Sequence, residues 1–136
     1  MSTLAIALGT SVSISQANPS LPGPTAPSGL AAVSNSPTTV DLSWTDNSGD
    51  ETGFEVERSL TGIGGWSLIT TTAADATTYQ DTGLSEGTEY FYRVRAINGE
   101  GNSRWSNVAS DTTSTASMLD FSNVANVINF VLKFWG

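Results

Sequence analysis

A chain of 136 residues suits one domain with short extensions rather than two domains. Only 13% of its residues are charged, about half the roughly 25% of an ordinary soluble domain, and 13 acids against five cations leave a net charge of −8. With no histidine and no cysteine, Ser-His-Asp and Cys-His triads, thiolate zinc sites and disulfide frameworks are excluded, and so acidic a chain offers no basic face to nucleic acid.

Residues 1–24 carry no ionisable side chain and end in a proline cluster, Pro19, Pro22 and Pro24. Leu4, Ile6 and Leu8 alternate with small residues, and Val12 and Ile14 keep the same parity, which is a strand pattern. It predicts an extended anchoring arm that adds to a sheet, its own or a neighbour's. The apolar run from Leu4 is short and no Lys or Arg precedes it, so a cleaved leader is not expected. No stretch of the chain has the roughly 18 consecutive apolar residues of a membrane span.

Residues 25–113 read as all-β. Val40, Leu42 and Trp44 alternate with Thr39, Asp41 and Ser43, the period of a half-buried strand. Phe54 and Val56 alternate with Glu55 and Glu57. Tyr90, Tyr92, Val94 and Ala96 share one face, with Glu89, Arg93 and Arg95 on the other. Turn segments separate these runs at Asp46-Asn47-Ser48-Gly49, Gly62-Ile63-Gly64-Gly65 and Asn98-Gly99-Glu100-Gly101. Short strands at this spacing predict a two-sheet sandwich.

Several stretches carry a family resemblance. They are Pro27-Ser28-Gly29-Leu30, Leu42-Ser43-Trp44-Thr45, the run Thr52 to Arg58, Tyr79 to Leu84, Gly87-Thr88-Glu89-Tyr90, Arg93 to Asn98, and Trp105-Ser106-Asn107. Residues 27–113 thereby resemble a fibronectin type III domain of the bacterial and phage kind. The resemblance implies a seven-stranded, immunoglobulin-like sandwich. Trp44 would fill its centre beside Val56, Tyr92 and Val94, and Tyr90 would be the tyrosine corner that ties the E–F crossover to backbone. Glu86 stands where the family often has a proline, which should loosen that turn slightly.

The loop Asp46-Asn47-Ser48-Gly49-Asp50-Glu51 concentrates oxygen ligands but lacks the spacing of an EF-hand, so a capped turn with solvated acids is expected, and no metal. Glu55 and Glu57 project from one face, and Arg93 and Arg95 on the neighbouring strand should pair with them as a surface charge ladder. Gly62 to Gly65 has no following Lys-Ser/Thr and reads as a hairpin turn, not a phosphate loop. Asn98, Glu100, Asn102 and Arg104 occupy the F–G loop, a reasonable binding surface on a rigid sandwich. Trp66 and Trp105 either stack on a sugar ring or pack at the sandwich edges. No nucleophile or acid–base constellation points to catalysis, and no cofactor is implied.

Residues 114–136 open with a linker, Ser114-Thr115-Ala116-Ser117. Ten of the fifteen residues from Phe121 to Trp135 are apolar. On a helix, Phe121, Val124, Ala125, Ile128, Leu132 and Trp135 form a stripe; on a strand, Ile128, Phe130, Leu132 and Phe134 would. A helix is the preferred reading. Either way the surface calls for a partner, because apolar patches of this size mark interaction sites. Leu4, Ile6 and Leu8 of the arm and Phe121, Val124, Ile128, Leu132 and Trp135 are therefore the expected assembly interface.

The expected function is a non-enzymatic display subunit of a larger assembly. Its setting would be the virion of a tailed phage, as a capsid decoration protein or a tail or neck accessory protein that also self-associates. The alternative is an exported adhesion or carbohydrate-binding module, extracellular or at the cell surface, contacting glycans weakly through its loops.

Overall fold

The computed structural model describes residues 22–116, which form eight strands and no helix. They are β1 (Ser28–Ser36), β2 (Thr39–Thr45), β3 (Gly53–Ser59), β4 (Ser67–Thr71), β5 (Thr78–Thr82), β6 (Glu89–Asn98), β7 (Gly101–Asn102) and β8 (Ala109–Thr112). One sheet has the order β1-β2-β5. The other has the order β4-β3-β6, with β7 and β8 both pairing with β6, and every pairing is antiparallel.

Alternation places the core. Val40, Leu42 and Trp44 of β2 meet Phe54 and Val56 of β3 and Tyr90, Tyr92, Val94 and Ala96 of β6, with Leu30 and Leu84 closing the ends. Trp44 is 5% exposed and lies against Phe54, ring centroids 5.7 Å apart at 56°. At the crossover before β6, the Ser85 N–H donates to the Tyr90 hydroxyl at 3.0 Å. Glu86, one residue on, uses its carboxylate to accept from the Ala116 N–H at 2.8 Å.

The sandwich is the one expected, and its count of eight rather than seven strands arises because the last strand is split. From Tyr92 to Ile97, β6 advances five residues, while the opposing segment from Asn102 to Ala109 advances seven. The surplus bulges out over residues 103–108. Two serines keep the backbone satisfied across the gap. Ser103 and Ser106 donate their N–H groups to the carbonyls of Ala96 and Val94, both at 2.8 Å. Their hydroxyls accept the N–H groups of the same two residues at 2.9 and 3.1 Å. The N–H groups of Val94 and Ala96 thus keep partners across the break, as buried donors require.

Side chains close the open flank between the two sheets. The Asn107 carboxamide accepts from the Leu30 N–H and donates to the Leu30 carbonyl, both at 2.9 Å, as a third strand would. Asp111 accepts the Ser34 N–H at 2.7 Å. The arm residues Leu4, Ile6 and Leu8, the segment residues Phe121, Val124, Ile128, Leu132 and Trp135, and the helix-or-strand question for 121–135 all lie outside the described residues.

Candidate functional site

Two polar regions rise from this frame. The first is the outer face of the β4-β3-β6 sheet. The β3–β6 register sets Glu55 opposite Arg95 and Glu57 opposite Arg93, and each pair forms an ion pair of 2.6 Å. The arginines also lie against tryptophans. The guanidinium carbon of Arg93 is 4.4 Å from the Trp66 ring centroid and 4.1 Å from that of Trp105, and Arg95 is 4.4 Å from Trp105. Trp66 precedes β4 and Trp105 sits on the bulge, so the split strand is what brings its indole over β6. Both tryptophans are half-buried and joined to the arginines, an edge packing rather than an open platform for a sugar.

The second region is the sandwich end where the β2–β3, β4–β5 and β6–β7 turns meet. The Ser48 N–H donates to Asp46 Oδ1 at 2.9 Å, the capped turn expected from the sequence. Asn47 reaches back to the Ala26 carbonyl at 3.0 Å and to the Ser28 hydroxyl at 2.9 Å. Not every acid in this loop is solvated, however. Glu51 is buried, and its Oε1 accepts from the Asp75 N–H at 3.0 Å, which Asp75 presents from a left-handed backbone with φ of 60°. That N–H and the Glu51 N–H hold the Glu51 carboxyl below its ordinary range, against the opposing effect of burial. Asp75 is a functional candidate that the sequence reading passed over, since it comes from a different turn with no polar motif around it.

The loop residues named from the sequence divide. Asn98 is half-buried and spent on the fold: its Nδ2 donates to the Asp50 carbonyl at 3.2 Å, and its Oδ1 accepts from the N–H groups of Glu100 and Gly101 at 2.9 and 3.2 Å. Glu100, Asn102 and Arg104 are exposed. On the other sheet, an open groove of about 340 Å³ runs past Val33, Asp41, Thr78 and Gln80. Gln80 donates to Asp41 there at 2.7 Å. Tyr79 borders that groove but pairs opposite Leu42 and packs partly against the core, so it offers no outward ring.

Sequence comparison agrees with the strand order and the tyrosine corner: the family model described as "Fibronectin type III domain" matches residues 25–112. The chain belongs to the fibronectin type III family. It is 40% identical to Exoglucanase B of Cellulomonas fimi over 104 residues, which are 75% of this chain and 9% of that enzyme. It is 36% identical to a poly(3-hydroxybutyrate) depolymerase of Ralstonia pickettii over 92 residues, 67% of this chain and 17% of the relative. The chain thus spans less than a fifth of the length of these curated relatives. Among solved structures, a fibronectin type III-like protein from Clostridium thermocellum superposes with a TM-score of 0.59 at 30% identity, covering 69% of this chain and 97% of that one. None of the relatives named is a virion protein, so the phage setting expected from the sequence gains no support from them.

Proposed function

We infer that the domain is a non-catalytic accessory module that works outside the cell beside a polymer-degrading unit. One observation carries this reading. The same segment recurs as a small slice of an exoglucanase, whose name denotes glycoside cleavage, and of a depolymerase of a polyester, which must cleave esters. A slice shared by enzymes that break different bonds is not the part that breaks them. Enzymes that act on external glucans and polyesters work outside the cell, because such polymers are too large to be taken up intact, and this reading gives a module attached to them the same setting.

The geometry suits a spacer: a rigid sandwich with an arginine–tryptophan face and a side-chain seal along one flank. In this role the apolar residues from Phe121 to Trp135 would dock on the neighbouring unit. The test is a graft. Replacing the matched segment of the Cellulomonas fimi exoglucanase with this chain should retain its activity on insoluble cellulose, while deleting that segment should lower it. Release of soluble product from cellulose or poly(3-hydroxybutyrate) by this chain alone would overturn the reading.

A second reading, weak glycan contact through the β6–β7 turn, β7 and the start of the bulge, rests on the exposure of Glu100, Asn102 and Arg104. Retention of the protein on cellulose or starch, lost when all three are changed to alanine, would establish it.

A further inference from the structure

Carboxylate oxygens of Asp46, Glu51 and Asp75 lie within 4.8 Å of one another at the turn end of the sandwich. The first two come from the β2–β3 turn and the third from the β4–β5 turn. Glu51 is 8% exposed, and its Oε2 is closed off from solvent without a hydrogen-bond partner. A buried carboxylate oxygen with no donor is costly, and three like charges at this spacing repel one another. Side chains do not supply the missing positive charge: the ion pairs among the described residues engage Arg58, Arg93 and Arg95 with other carboxylates.

We propose that Asp46, Glu51 and Asp75 form a calcium site, each giving one carboxylate oxygen, with water completing the shell. The donor set is all oxygen, which suits a hard cation. Calcium takes oxygens at ~2.3–2.6 Å, so two donors on opposite sides of the ion stand up to about 5 Å apart, and the observed cluster fits within that span. Magnesium, at ~2.0–2.1 Å in strict octahedral order, would have to draw three donors from two turns into a tighter and more regular arrangement. Asp75 is exposed and Asp46 half-buried, which gives an ion a path in from solvent to the buried Glu51.

A bound ion would clamp the β2–β3 turn to the β4–β5 turn, adding to the single Asp75 N–H to Glu51 hydrogen bond that joins these acids. The clamp would work the same way whatever unit the domain is attached to. The sequence reading missed it because two of the ligands lie in one loop and the third is 24 residues from Glu51.

The test is thermal unfolding of the purified chain in EDTA, in millimolar calcium chloride and in millimolar magnesium chloride, with calorimetric titration of calcium. Calcium should raise the melting temperature by about 5–10 °C over EDTA, magnesium by clearly less, and the titration should give one site. The exposed position gives the cleaner variant. D75N should keep a folded, two-state transition in EDTA and lose the calcium increment, and E51Q should lose it too. Equal melting temperatures in all three solutions, or an undiminished increment in D75N, would overturn the site.

Discussion

Nη1 of Arg58, on β3, donates to both carboxylate oxygens of Asp81, on β5, at 2.8 and 3.1 Å, and so joins two sheets that share no ladder. Tyr92 of β6 donates its hydroxyl to the same carboxylate at 3.0 Å. Burial works against the charge on Arg58, yet the hydrogen bond and charge of Asp81 raise its pKa above the ordinary value. The two partners are unequally placed, because Asp81 is 4% exposed while a third of the Arg58 side chain reaches solvent. Removing the arginine therefore strands a buried charge. Arg58→Met should cost about 3–5 kcal/mol in urea unfolding at neutral pH.

Tyr92 gives the alkaline counterpart. Burial first, and then the charge and hydrogen bond of Asp81, push its phenol well above the ordinary value of 10.0. A group raised in the folded state contributes stability that is complete below its unfolded pKa. That contribution declines as the pH climbs from there through the folded value. Wild-type stability should thus fall from about pH 10 upward. Tyr92→Phe should lose about 1.5–3 kcal/mol at neutral pH, through the missing bond to a charged acceptor, but show a flatter alkaline limb. Melting curves from neutral to strongly alkaline pH would measure both effects.

Much of this fold is legible in the residues. The alternation of Val40, Leu42 and Trp44, and of Tyr90, Tyr92 and Val94, places them inward as the structure does, and strand pairing alone then aligns Glu55 and Glu57 with Arg95 and Arg93. What escapes is polar burial. Nothing in Tyr-Gln-Asp-Thr marks Asp81 for burial, and Glu51 in a polar loop reads as solvated, because each is buried by a partner from another turn or strand. The split of the last strand escapes for a related reason. Periodicity counts side-chain faces, whereas Ser103 and Ser106 replace ladder hydrogen bonds with hydroxyls, a substitution that leaves no period in the sequence.

Arg93 serves two indoles and one carboxylate at once. Arg93→Ala should cost about 1–2 kcal/mol, combining lost cation–π contact with a partly exposed ion pair, and should alter tryptophan emission because Trp66 and Trp105 lose their common neighbour. Arg93→Lys should recover only part of the loss. An ammonium can pair with Glu57 but has no flat surface to lie against a ring. Urea unfolding followed by fluorescence reads both quantities in one experiment.

Gly53, at the start of β3, explains the glycine in the Thr-Gly-Phe-Glu motif. A Cβ at this position would stand 2.2 Å from the Thr72 carbonyl oxygen. Thr72 cannot easily yield, since its N–H donates to the Phe54 carbonyl at 2.8 Å in the adjacent pairing. Gly53 cannot easily yield either, because the Thr52 N–H just before it is bound to the Ile97 carbonyl at 2.7 Å. Gly53→Ala should therefore cost about 2–3 kcal/mol or more, as overpacking against fixed backbone does. Gly49→Ala is the matched control: nothing lies within 4 Å of its Cβ position, and its effect should stay within about 0.5 kcal/mol. Amide exchange separates a local from a global effect. If the strain is local, the Thr52 and Thr72 amides lose protection in the Gly53 variant while the Val94 amide, deep in β6, follows only the change in overall stability.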